Sequence, residues 1–302
     1  MLPDVDKQGH MFYICSMSGV HIIWFRRDLR VHDHAALKAA RLASERDGGQ
    51  VLALYISSPE DAEIPHLDEA LRDLDHALAQ RGTALHYRTG DAIECLSEIH
   101  ASSRILSLHT HETLSESALD RQVEAWSLRA GVPFRVYSQF GPDRREDWVA
   151  YVSAPRHEAP ADLSAANVGL GRKPYLSAAF EDEGRGGRKA AIQRLRHALG
   201  QVSDLEHLAS PEALSGDQIF ETLKPHLDLG VLSVREVWQA AISAQQQFVK
   251  AGHDIRAARV ASLVARLSDM RPHQSAPRSS SPRRLQPKGS QLSLDIFPPH
   301  AG

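Results

Sequence analysis

The sequence has 302 residues, 42% hydrophobic and 24% charged, with a formal net charge of −3. That balance fits a globular chain of two domains and excludes a wholly disordered or fibrous one. It also gives no global electrostatic attraction to nucleic acid, so any basic contact has to be local. No run approaches the roughly 20 apolar residues of a membrane span, and two cysteines, Cys15 and Cys95, cannot build a disulfide framework, which points to a reducing, cytoplasmic setting.

Residues 1–18 lack a basic segment followed by a clean apolar run and read as a loose N-terminal extension rather than a signal peptide. From Val20 the pattern becomes regular. VHIIWF (residues 20–25) is a short apolar, β-branched and aromatic run, the pattern of a strand buried on both faces. Residues 51–56, 84–88, 104–109 and 134–138 read the same way. Helical patterns separate them. Leu67, Leu71, Leu74 and Leu78 form a stripe ending at Gly82, and Asp91 is placed to cap a helix carrying Ile93 and Leu96. Leu119, Val123, Trp126 and Ala130 form another stripe, stopped by Gly131 and Pro133. Alternating strands and helices predict an α/β domain over residues 19–139, with a doubly wound five-stranded parallel sheet.

The rhythm breaks at residues 140–187, where prolines and glycines predict a linker with a short helix near Glu146–Tyr151. Helical patterns return at 188–199, 233–248 and 254–267, giving an all-α region over 188–269. The last helix has Ile255, Val260, Leu263, Val264 and Leu267 on one broad apolar face. Residues 270–302 are rich in Pro, Ser and Arg and are expected to form a disordered basic tail able to contact phosphates.

The segment that carries chemistry is WFRRDLRVHDHAAL, Trp24 to Leu37. It would leave the first strand at the carboxyl edge of the sheet, where ligands bind in such folds. Its arginines suit an anionic ligand or a domain-spanning ion pair; equally, it can be a solvated loop with Asp33 as the N-cap of the next helix. His109, His111 and Glu112 could ligate a metal, but among seventeen histidines one close pair is expected by chance, and no metal site is assigned. Thr89, Gly90 and Asp91 read as turn and cap, and Cys95 as core packing.

WFRRDLRVHDHAAL resembles the N-terminal signature of the photolyase/cryptochrome family, with His34 where Asn is usual. HETLSESALDRQVEAW (111–126), GVPFRVYSQFG (131–141), GGRKAAIQRLRHAL (186–199) and LKPHLDLGVLSVREVWQA (223–240) extend the resemblance to about Ala240. The resemblance implies an antenna-type α/β domain followed by the opening of an FAD domain. It implies light-driven, FAD-dependent repair of pyrimidine dimers in DNA, or blue-light sensing, with a folate or deazaflavin type of antenna chromophore. It places Arg26, Asp33, His34 and Glu112 at an antenna-type pocket. It aligns Phe220–His226 with the family's T-S-R-L-S-P-H segment at the flavin diphosphate, which leaves Thr222, Lys224 and His226 as candidate contacts. Phe220 and Glu221 replace two hydroxyl donors there, and tryptophan-rich segments that would cradle the flavin find no counterpart, all four tryptophans lying before residue 240. The expectation is a shortened family member with its activity lost. The other readings are a non-catalytic chromophore- or partner-binding protein and a small-molecule nucleotide-binding enzyme on the same α/β scaffold, which the lack of a Gly-rich phosphate loop disfavours. Helices 233–248 and 254–267 are expected to leave apolar faces open to a partner or a second copy. Finally, QLSLDIF (291–297) resembles the peptide by which bacterial repair and replication proteins dock on the sliding clamp, with Gln291 orienting and Leu294, Ile296 and Phe297 filling pockets.

Overall fold

A computed structural model of the chain describes residues 19–113, 117–142, 144–163, 186–200 and 214–270. The N-terminal extension, the basic tail and its QLSLDIF peptide lie outside the described residues. Five parallel strands, β1 (Val20–Phe25), β2 (Gln50–Ser57), β3 (Leu85–Thr89), β4 (Ile105–His111) and β5 (Phe134–Tyr137), form one sheet in the order β3-β2-β1-β4-β5. The reversal of direction after β3 puts the central strand β1 between β2 and β4, the switch point at which open α/β sheets form a crevice.

Helices α1 (Ala35–Asp47), α2 (Leu67–Ala79), α3 (Ala92–Ser102) and α4 (Ser117–Ala130) are the crossovers. The two faces of β1 divide by residue parity. Ile23 and Phe25 join a core with Leu37, Leu71 and Leu74 of α1 and α2, whereas Val20, Ile22 and Trp24 pack with Leu96 and Val123 of α3 and α4. Local chemistry explains the ends. Asp91 accepts from the amides of Ile93 and Glu94 at the start of α3, and Gly82 takes φ +81° after α2, a conformation that a side chain would oppose.

The segment expected as a linker carries α5 (Arg145–Ser153), with Trp148 and Val152 buried and Trp148 Nε1 donating to the Phe140 carbonyl at 2.8 Å. Four further helices follow, α6 (Gly187–Ala198), α7 (Gly216–Asp228), α8 (Val234–Lys250) and α9 (Asp254–Asp269). Their apolar faces are not open as the sequence suggested. Val237, Ala241 and Ala244 of α8 meet Val260, Leu263 and Leu267 of α9 in the same core that holds Phe25 and Leu71. Ile255, placed on that face by spacing, points outward and is 72% exposed. No described helix is long and apolar enough to cross a membrane.

Candidate functional site

β1 delivers Arg26 to the carboxyl edge of the sheet, and the chain then turns through Asp28, Arg30, Asp33 and His34 into α1. This is not a solvated loop: Arg26, Asp28, Arg30, Asp33 and His34 are all buried. Burying five ionisable side chains is costly unless each finds a partner, and each does. Arg26 donates to Asp120 (2.7 Å), to the His111 carbonyl (2.5 Å) and to Thr110 Oγ1 (3.2 Å), with its guanidinium 4.9 Å above the Trp24 ring. Arg30 donates to the carbonyls of Gly230 (2.8 Å) and Asp33 (3.2 Å).

Asp33 is not the N-cap. It adopts φ +48° and its carboxylate pairs with Arg235 of α8 at 2.5 Å, while accepting the amide of His157 at 3.1 Å. Burial alone would raise its pKa; the Ser233 hydroxyl and the Arg235 guanidinium outweigh burial and hold it below the usual carboxylate value. The N-cap of α1 is His34, whose Nδ1 accepts from the Leu37 amide at 3.0 Å.

That cap fixes the rest of the site. With the Nδ1 lone pair used, the neutral His34 ring carries its proton on Nε2, which lies 2.9 Å from Asp28 Oδ2 in a bent contact. His111 Nδ1 reaches the same oxygen at 2.9 Å, and the Arg26 amide donates to Asp28 Oδ1 at 2.7 Å. Asp28 is thus a buried carboxylate that accepts from the His111 ring and the Arg26 amide, with His34 Nε2 in close contact. Burial opposes its ionisation, but the two imidazoles overcome this and its pKa falls well below the ordinary value. Burial pushes His111 the other way, down to about 3, so it sits neutral.

Asp28, His34 and His111 are close enough to suggest a metal centre. The donor chemistry argues otherwise. A cation between them needs a lone pair on His34 Nε2, yet the Leu37 amide takes the Nδ1 lone pair and leaves the neutral ring's proton on Nε2. Nor do His109, His111 and Glu112 share a ligand point. His109 contacts Ser107 and Tyr137, His111 contacts Asp28, and Glu112 accepts from the Ser138 hydroxyl.

The four residues assigned to an antenna-type pocket therefore meet at this edge but face protein. Arg26 is 5% exposed, Asp33 6%, His34 1% and Glu112 6%, and an antenna held by these side chains would have to displace their partners. Of the partners that complete the site, Asp28 lies in the singled-out segment and His111 was weighed only as a metal ligand, while Gly230 and Arg235 were not singled out by sequence. Gly230 shows why helices and sheet fit so closely here: at φ +68° it lies against the backbone of Arg27, where a Cβ would come within 2.2 Å of the carbonyl oxygen. The Leu29 amide donates to the Leu229 carbonyl at 3.1 Å beside it.

The residues aligned with a flavin diphosphate segment, Phe220–His226, lie inside α7 rather than in an open loop. Backbone amides within a helix are committed to its own carbonyls. Thr222 Oγ1 donates to the Gln218 carbonyl at 2.8 Å, and Lys224 is paired with Asp228. Phe220 is in the core beneath Arg266. His226 is buried with Nε2 2.8 Å from Arg194 Nη1, and burial pushes its pKa down to about 4, with Arg194 adding to the effect. Thr222, Lys224 and His226 follow each other by two residues, so at 100° per residue Lys224 falls on the opposite face from the other two. Near the start of α6 the Gly186 and Arg188 amides are taken by carboxylates of α2, Glu69 and Asp73. These described residues do not fit a diphosphate.

The DNA photolyase family model matches residues 21–140. The chain is 33% identical to the deoxyribodipyrimidine photo-lyase of Escherichia coli over 277 residues, 77% of this chain and 56% of that protein. It is 26% identical to cryptochrome-1 of Arabidopsis thaliana over 286 residues, 80% of this chain and 40% of that protein. The fold matches a bacterial class III photolyase from Agrobacterium tumefaciens with a TM-score of 0.58 at 21% identity, covering 84% of this chain and 59% of that one. The chain thus spans about half the length of these relatives. With its parallel sheet, its β1 exit and its sequence matched together, residues 21–140 carry the α/β domain of the DNA photolyase family, and the chain is similar to photolyases and cryptochromes over most of its length.

Proposed function

We propose that this chain serves the light-dependent chemistry of its family, FAD-dependent repair of pyrimidine dimers in DNA or blue-light sensing, as an α/β module locked to a helical region, and that it does not hold the flavin or repair DNA by itself. The observation that carries this reading is the state of Phe220–His226. Its polar side chains are engaged within or beside α7, so no set of donors is left converging on a diphosphate. The edge loop after β1 supports the same reading, because its charges close the interface to α8 instead of lining a cleft.

A chromophore of folate or deazaflavin type bound to the α/β domain is the second reading, favoured by the position of the loop at the switch point of the sheet. Purification followed by a visible absorption spectrum and a light-driven dimer-repair assay tests both. An absence of flavin bands and of repair supports the first reading, and antenna bands without flavin support the second. One flavin per chain, or repair by the purified chain, overturns both.

A further inference from the structure

Beneath α1 there is a second polar network, separate from the one around Asp28. His21 Nε2 lies 2.8 Å from Asp47 Oδ1, and His21 Nδ1 lies 2.7 Å from Ser107 Oγ. Ser107 Oγ lies 2.7 Å from His109 Nε2, and His109 Nδ1 lies 3.0 Å from the Tyr137 hydroxyl. Strand register assembles it. His21 of β1 stands beside Ser107 of β4, His109 follows two residues on along the same face, and β5 sets Tyr137 beside His111. Strands buried on both faces ordinarily read as apolar runs, yet β4 presents Ser107, His109 and His111 in succession on one face.

With His21 in its neutral form, chemistry fixes the direction of every bond. Asp47 is held below the usual carboxylate value: burial works against this, but the His21 hydrogen bond and the Gly49 amide prevail. As a carboxylate it only accepts, so His21 carries its proton on Nε2 and offers a lone pair at Nδ1. Ser107 then donates to His21 and accepts from His109 Nε2–H, which leaves His109 Nδ1 to accept from Tyr137. All four hydrogens point toward Asp47, and each side chain both gives and receives as it must.

We propose that these five side chains form a proton-exchange path joining the Tyr137 hydroxyl, at the carboxyl edge of the sheet, to solvent at Asp47. Transfer is balanced at each atom. The Tyr137 proton bonds to His109 Nδ1 while the His109 Nε2 proton passes to Ser107 Oγ. The Ser107 proton passes to His21 Nδ1, and the His21 Nε2 proton passes to Asp47, which gives it to water; the reverse sequence restores the start. Arg46 of α1 and Arg135 of β5 face the path. Burial chiefly, with Arg135 and Arg46 adding to it, holds His109 down to about 3, so it relays protons rather than storing one. Burial likewise pushes the Tyr137 phenol up to about 12. The surface end is open, Asp47 having a side chain 37% exposed, while Gly49 closes over the His21 ring, where a Cβ would come within 2.9 Å.

The test is nuclear magnetic resonance of the full chain labelled with nitrogen-15 at histidine. Both His21 and His109 are expected as the Nε2–H tautomer. Exchange of the His109 Nε2 proton with water should slow by about tenfold or more in Ser107→Ala, while the β4 amides, which report local opening, keep their rates. Asp47→Asn provides a second arm if Ser107→Ala fails to fold, because its amide oxygen still accepts from His21 but takes up no proton. An Nδ1–H tautomer at either histidine would overturn the path. So would His109 exchange that follows the β4 amides and is unchanged by the substitutions.

Discussion

Substituting Arg235 by alanine isolates the buried carboxylate of Asp33. Both side chains are nearly inaccessible, 6% and 4%, and are 2.5 Å apart, so the pair is not screened as a surface bridge would be. Removing one member of such a pair leaves an uncompensated charge and costs about 3–5 kcal/mol. Arg235 also donates to the Tyr151 carbonyl at 3.0 Å and sits 4.3 Å over the Tyr151 ring, contacts that place the expected loss toward the upper end. For a chain of this size that corresponds to a fall in Tm of about 5–8 °C. Removing both charges while keeping volume, as in Asp33→Asn with Arg235→Met, should cost less than Arg235→Ala alone, since asparagine also tolerates the left-handed backbone that Asp33 adopts. Urea unfolding of the three proteins measures this. A loss under about 1 kcal/mol for Arg235→Ala, in the range of exposed pairs, would refute a buried, load-carrying pair between loop and α8.

Burial holds His109 and His111 at about 3 and His226 at about 4, whereas an unfolded chain takes up these protons near pH 6.5. Their contribution is therefore complete above about pH 6.5 and is lost as pH falls toward the folded values, so urea midpoints should drop between about pH 7.5 and 5, and equal midpoints would contradict the burial argument. Gly230→Ala should destabilise by more than about 2 kcal/mol, combining an unfavourable positive φ with a clash on the Arg27 carbonyl; thermal unfolding checks it, and a neutral effect would mean the α7–α8 turn moves freely off the loop. A peptide spanning residues 286–298 should bind a bacterial sliding clamp with micromolar affinity, about −8 kcal/mol, and lose it in the Gln291→Ala, Phe297→Ala form; calorimetry showing equal binding by both peptides, or none by either, removes the clamp as a partner.

The sheet was legible because its strands are apolar runs of β-branched and aromatic residues, and each of the five lies within two residues of its expected ends. Helix α2 was legible from its leucine stripe. Helix α7 was legible only from the resemblance of residues 223–240 to a pair of helices and not from periodicity, since Pro225 interrupts its pattern. The charged exit from β1 was visible as a candidate site, and a domain-spanning ion pair was one of its three physical readings. Which partner it would find was not visible, because Arg235 and Gly230 stand about two hundred positions away and are brought in only by the packing of α7 and α8. The histidines beneath α1 were hidden for a similar reason. Nothing in local spacing relates His21 to Ser107, and only the β1–β4 register makes them neighbours.

The described residues of α7 leave no set of donors converging on a flavin diphosphate, and on the proposed reading the chain alone holds no flavin. The purified 302-residue protein, incubated with excess FAD and passed through gel filtration, tests this most directly. The expected result is protein eluting without flavin absorbance; flavin co-eluting at one per chain would contradict it.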